Sequence, residues 1–183
     1  MHLTFAPRGI LQIDDARITY KNFSGVGDKF NREGDRNFAL IIDDQEIADA
    51  LLNDKNKYGV GWNVKIKPPR EEGDEPFMYM PVKVKFTDFG PNVYLKTGDR
   101  VNRLDERSVG SLDKIRIASV DLDIRPYDDV INGKPFRSAY LQSIHVTQDV
   151  VDRFADRYND RFESTTPNTP NFTELGDNED LPW

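Results

Sequence analysis

Ile18-Thr19-Tyr20-Lys21-Asn22-Phe23, a polar connector from Ser24 to Asp35, and Arg36-Asn37-Phe38-Ala39-Leu40-Ile41-Ile42 read as two strands joined by a loop. Both arms are rich in β-branched and aromatic residues, and neither contains proline. Gly25, Gly27 and Gly34 supply the turns of the connector. Tyr20, Phe23, Phe30 and Phe38 are interleaved with Lys21, Lys29, Arg32 and Arg36 and with three asparagines, Asn22, Asn31 and Asn37. Flat rings stack on bases of any sequence and cations meet phosphates, so this decoration suits a groove for unpaired nucleic acid. The alternative is a hairpin whose rings are core and whose charges are merely solvated.

Working outward, Ile10, Leu11 and Ile13 lead in from a short irregular start, and Asp14-Asp15 marks a bend or bulge. After Ile42, apolar residues at 47, 48, 51 and 52 fit one face of a short helix, with Asp43 or Asp44 as its N-cap. Trp62, Val64 and Ile66 then alternate with Asn63, Lys65 and Lys67, and Val82, Val84 and Phe86 alternate with Lys83 and Lys85. Four lysines are therefore expected on the solvent faces of two strands. Asn92 to Lys96 is a further short strand, and Gly98 to Asp113 reads as polar turns. In Lys114 to Tyr127 the alternation slips by one residue between Ile117 and Val120, which predicts a β-bulge of the kind that closes a small barrel. Asn132-Gly133 is a hairpin turn, and Ser138 to Val146 is the returning strand.

Three regions result: a mainly β body over 1–146, a helix over 147–162, and a disordered acidic tail over 163–183. The helix carries Phe154, Tyr158 and Phe162 as a stripe that packs on the body or on a second copy, which leaves a homo-oligomer open. Of the 32 acids, five lie in Glu163–Trp183, together with none of the 25 bases. The net charge of −7 is therefore concentrated there, and the remainder stands at −2. Local potential, not the total, decides whether a groove attracts phosphate.

The chain has no cysteine, which removes thiolate metal sites, thiol catalysis and disulfides. Its two histidines, His2 and His145, are far apart, and Asp121-x-Asp123 on a strand is expected to be solvated. No catalytic residue, metal ligand or cofactor site is expected. No signal peptide and no run of 18 apolar residues is present, so a membrane partner is not expected and a cytosolic location is the default.

The ending Asp177-Asn178-Glu179-Asp180-Leu181-Pro182-Trp183 resembles the acidic tip of bacterial and phage single-stranded DNA-binding proteins, with Trp183 where the bacterial proteins usually have phenylalanine. The body, through Trp62-Asn63-Val64-Lys65, Val82-Lys83-Val84-Lys85-Phe86 and Arg125-Pro126-Tyr127, is more similar to the phage-encoded members. That resemblance implies an OB-fold with a barrel of five strands. It also implies unpaired DNA as ligand, replication or recombination proteins as partners, and the host bacterial cytoplasm as location.

Candidate DNA-binding residues are Tyr20, Lys21, Phe23, Phe30, Arg36, Phe38, Trp62, Lys65, Lys67, Lys83 and Lys85. Candidate protein-docking residues are Asp177, Glu179, Asp180, Leu181, Pro182 and Trp183, with the indole and α-carboxylate as the anchor. Rival readings are an interaction or virion accessory protein with core aromatics, and an RNA-binding module of the same fold.

Overall fold

A computed structural model describes residues 1–150, which form one compact unit. Nine strands and one α-helix follow in order: β1 (His2–Phe5), β2 (Leu11–Asn22), β3 (Arg36–Ile42), α1 (Gln45–Asn53), β4 (Lys65–Lys67), β5 (Phe77–Val84), β6 (Asn92–Thr97), β7 (Arg100–Leu104), β8 (Ile117–Ile131) and β9 (Lys134–Gln148). Five of them close a ring. β5 pairs with β3, β3 with β2, β2 with β8 and β8 with β9, and β9 returns to β5 where Lys83 lies opposite Tyr140. This is an OB-like barrel. β1 is added to β2, β4 to β5, and the β6–β7 hairpin to the far half of β9.

Closing so few strands needs sharp bends, and the bends sit at residues with unusual backbone. Between Ile13 and Ala16 the β2–β8 register gains one residue, and Asp15 takes a left-handed φ of 51°. Asp121 Oδ1 accepts the Asp15 N–H at 2.8 Å, which satisfies the donor that the bulge removes from the ladder. In β8, Ile117 faces Gln148 and Ser119 faces Thr147, so an extra residue lies where the hydrophobic alternation slips. Asn132 and Gly133, at φ of 51° and 75°, make the two-residue turn between β8 and β9.

The interior is filled by one face of each barrel strand, including Leu11, Ile13, Leu40, Met80, Val82, Ile124 and Ile144. Helix α1 begins at Asp44, whose carboxylate accepts the Glu46 N–H at 2.8 Å, and Ala48 and Leu51 enter the core. Gly61 crosses the end of α1 so closely that a Cβ would collide with the Leu52 carbonyl.

Five expectations need correction. Leu52 and Ile66 are exposed, the latter because β4 is a three-residue strand that contacts only β5 and has no core beneath it. Residues 98–113 hold the strand β7 and a helical turn, because Arg100–Leu104 pairs with β6 despite its polarity. The lead segment contains β1. Thr147 and Gln148 belong to β9, not to a helix. Asp149 and Val150 are in neither helix nor strand, and the rest of the expected helix, 151–162, together with the tail over 163–183, lies outside the described residues.

Candidate nucleic-acid interface

Strand β5 carries the surface of interest. Met78, Met80, Val82 and Val84 are buried, and the alternate residues Phe77, Tyr79, Pro81 and Lys83 face away from the core. Lys85 continues that parity just beyond the strand and is exposed. Rings therefore occupy one end of the strand and ammonium groups the other.

At the first end, Phe77 and Tyr79 stack at a centroid distance of 5.5 Å. Tyr20 meets them edge-on, at 6.5 and 6.2 Å. It reaches them because β2 bulges between Thr19 and Asn22 and Tyr20 adopts a φ of 49°. A left-handed conformation is unfavourable for a bulky side chain, and here it turns the ring out of the strand's alternation. From β4, Lys67 Nζ sits 5.2 Å from the Tyr20 centroid and 5.4 Å from that of Tyr79. Lys65 is opposite Tyr79 in register and is exposed.

The connector between β2 and β3 overhangs this cluster. Asp28 Oδ1 accepts the N–H groups of Phe30 and Asn31 at 2.7 and 2.8 Å, and these bonds hold its carboxyl below the usual aspartate range. Asn37 Nδ2 donates to Asn31 Oδ1 at 2.7 Å, which hooks the connector to β3. The loop thus holds Phe30, 86% exposed, at the margin of a concavity of about 620 Å3 whose walls include Tyr20, Lys67 and Tyr79. Asn37 also lines the next concavity, with Lys83, Lys85 and Tyr140.

At this second end, Tyr140 of β9 has two cations against its ring, with Lys83 Nζ 5.7 Å and Arg125 Cζ 4.9 Å from its centroid. Tyr127 meets Tyr140 edge-on at 5.9 Å. The groove therefore has two aromatic stations with cations at both, joined along β5.

The sequence candidates divide into three groups. Tyr20, Phe30, Lys65, Lys67, Lys83 and Lys85 are exposed along this groove. Phe23, Phe38 and Trp62 are not: they are 0%, 2% and 2% exposed. Phe23 and Phe38 stack on each other at 5.4 Å inside the core. The Trp62 indole donates to Asp54 at 2.8 Å and lies under Arg137. None of the three has a face to offer a base, which corrects their assignment as stacking platforms.

Lys21 and Arg36 form the last group, committed to bonds that tie β2 and β3 to the segment over 106–115. Lys21 Nζ donates to the Leu112 and Ile115 carbonyls, both at 2.8 Å. Its burial lowers its pKa against the opposing pull of Asp113. Arg36 donates to the Phe23 carbonyl at 2.9 Å and pairs with Glu106 at 3.2 Å. Phe77, Tyr79, Arg125 and Tyr140 were missed. The parity that places Lys83 and Lys85 outward, extended back along the strand, would have found the first two.

Among the described residues no cluster of acids and histidines is arranged to hold a metal ion. Asp121 and Asp123, the pair considered for one, are engaged by Asp15 N–H and by the Ser143 hydroxyl. His145 stacks on Tyr94 at 4.6 Å.

Residues 3–181 match the family described as "Putative phage ssDNA-binding domain". The chain belongs to this family. Its barrel is similar to two solved structures of the single-stranded DNA-binding protein from bacteriophage Enc34. One, determined in complex with ssDNA, is 15% identical with a TM-score of 0.54 and covers 81% of this chain and 91% of that one. The other is 17% identical with a TM-score of 0.52 and covers 86% of this chain and 99% of that one. No curated protein matches. The family is described by binding to ssDNA, the class of function that the sequence analysis expected in place of an enzyme. No helix among the described residues is long and apolar enough to cross a membrane.

Proposed function

We propose that the protein binds single-stranded DNA along the outer face of β5, with Tyr79, Tyr20 and Phe77 as one stacking station and Tyr140 as the other. The observation that carries this reading is the single parity of β5, which presents rings and then lysines on one continuous face. Stacking is indifferent to base identity, and Lys67, Lys83, Lys85 and Arg125 supply the cations for the backbone. A duplex has its bases stacked on one another and offers no free ring faces to such a surface. Membership of a phage ssDNA-binding family supports the same ligand.

The test is anisotropy of a labelled oligothymidylate titrated with wild type, Tyr79→Ala and Tyr140→Ala. Each substitution should weaken binding by the folded protein by about 1–3 kcal/mol, roughly 5- to 150-fold. A double variant that binds like wild type would sink the proposal. Equal affinity for the matching oligouridylate would favour the RNA-binding alternative.

Protection of unpaired DNA during replication or recombination, in the cytoplasm of an infected bacterium, is the role this ligand suits. Asp177, Glu179, Asp180, Leu181, Pro182 and Trp183 combine steering acids with an apolar anchor, the composition of a partner-docking segment. Deleting 177–183 should leave oligonucleotide affinity intact and abolish capture of replication or recombination proteins. Loss of DNA affinity on deletion would instead assign that segment to the DNA site.

A further inference from the structure

Phe89 is 97% exposed, the highest value among the large apolar side chains of the described residues. It does not sit on a loose loop. Thr87 and Gly90 bridge across it, with Thr87 N–H donating to the Gly90 carbonyl at 2.7 Å and Gly90 N–H donating back at 3.2 Å. The Phe89 N–H donates to Thr87 Oγ1 at 3.3 Å. An ordered turn thus holds a whole phenyl ring in water, where none of its apolar area contributes to folding.

The surroundings of the ring differ on its two sides. One side is a concavity whose walls include Lys85 and Arg125. Lys85 also lines the groove that holds Lys83 and Tyr140, and Arg125 covers the Tyr140 ring, so this side continues the β5 face. The other side is lined by Asp88, Asp105 and Glu106. Its cation, Arg103, donates to Asn92 Oδ1 at 2.8 Å. A phosphate chain leaving β5 therefore meets Lys85 and Arg125 with no carboxylate among the lining residues on the near side of Phe89, and three carboxylates on its far side. The opposite end is bounded in the same way, because the concavity beside Phe77 is lined by Asp43 and Glu75, with its cation Arg17 paired to Asp43 at 3.5 Å.

We propose that Phe89 is the terminal stacking platform of the DNA track. The last base of the bound segment stacks on its ring, and Lys85 and Arg125 hold the adjoining phosphates. The inference rests on the reading of the β5 face as the track, and it adds a definite end. From Phe77 to Lys85 the extended backbone runs about 26 Å at ~3.3 Å per residue, and the turn to Phe89 extends it by one station.

A length series separates this proposal from the reading beneath it. The full chain, Phe89→Ala, Phe89→Trp and Tyr79→Ala are titrated with oligothymidylates from about 4 to about 16 nucleotides, the range that one such fold covers. Phe89→Ala should bind the shortest oligomers like wild type and lose about 5- to 100-fold on those long enough to reach the turn. Phe89→Trp should restore that loss, and Tyr79→Ala should weaken every length. The side chain contributes nothing to the core, so the thermal midpoint should not move. Wild-type binding by Phe89→Ala at all lengths would overturn the proposal. So would an equal loss at all lengths, or a loss that tracks a changed sedimentation coefficient of the free protein, which would make Phe89 a contact between copies. If Tyr79→Ala also binds normally, the β5 track itself is wrong; if only Phe89→Ala does, the track stands and ends before the turn.

Discussion

Tyr20 and Phe23 are three residues apart in one segment and have opposite fates. Phe23 lies in the core against Phe38, whereas Tyr20, in the bulge, is 59% exposed beside Tyr79. Their substitutions should therefore separate stability from binding. Phe23→Ala or Phe38→Ala empties a packed site and should cost about 3–5 kcal/mol of stability, read from denaturant unfolding. The affinity of the protein that remains folded should be unchanged. Tyr20→Gly relieves a left-handed backbone that costs a bulky residue about 1–2 kcal/mol, and this relief offsets the lost edge contacts with Phe77 and Tyr79. Its stability should stay within about 1 kcal/mol of wild type while oligonucleotide affinity falls by about 1–3 kcal/mol. A large loss of stability in Tyr20→Gly would show that the ring is a structural brace.

Among the elements, the β8–β9 hairpin depends on one knot of side chains. Arg137 grips Asp128 with two nitrogens, at 2.8 and 3.2 Å, and donates to the Asp54 carbonyl at 2.7 Å. Asn56 donates to Asp128 at 2.8 Å, so the hairpin is tied to the segment that positions Trp62. Burial raises the Asp128 carboxyl, but the bonds from Arg137 and Asn56 outweigh it and bring its pKa below the ordinary aspartate value. A depressed folded pKa contributes stability that is complete above the unfolded value near 4 and is lost as pH falls through the folded one. Asp128→Asn should thus lower the thermal midpoint at neutral pH, with the gap to wild type narrowing below about pH 4. A constant gap across that range would mean that shape and not charge carries the effect. Arg137→Ala strands a partly buried carboxylate and should cost on the order of 3 kcal/mol. The bends of the hairpin and barrel were legible because Asn132-Gly133, Asp14-Asp15 and the slip after Ile117 are local backbone chemistry. The outward facing of Phe77 and Tyr79 was harder to read, since Phe77-Met78-Tyr79-Met80 is apolar at every position. Tyr140 joins the site only through ring closure opposite Lys83, a contact between distant segments that no local pattern encodes.

For the whole molecule, the question is how a chain with a net charge of −7 attracts a polyanion. Its cations are sorted by geometry. Lys21 and Arg36 are spent on backbone carbonyls and Glu106, whereas Lys83, Lys85, Lys65 and Lys67 remain exposed beside the rings, and acids flank both ends of β5. Only cations that meet phosphates release counterions, so the salt dependence of binding counts them. Each should contribute about 0.7 to the slope of log affinity against log salt for a single strand. Lys83→Gln with Lys85→Gln should accordingly reduce the slope by about 1.4. Lys96→Gln, at the far end of β6, should leave it unchanged. Lys21→Gln should also leave it unchanged, while lowering stability through the loss of its two carbonyl partners. This contrast tests the sorting itself, because Lys21 lies next to Tyr20 in sequence and Lys85 lies far from it. If Lys21→Gln reduced the slope as much as Lys85→Gln, the DNA would have to pull that lysine from the Leu112 and Ile115 carbonyls, and the helical turn at Val109–Lys114 would have to lose its tie to β2 on binding.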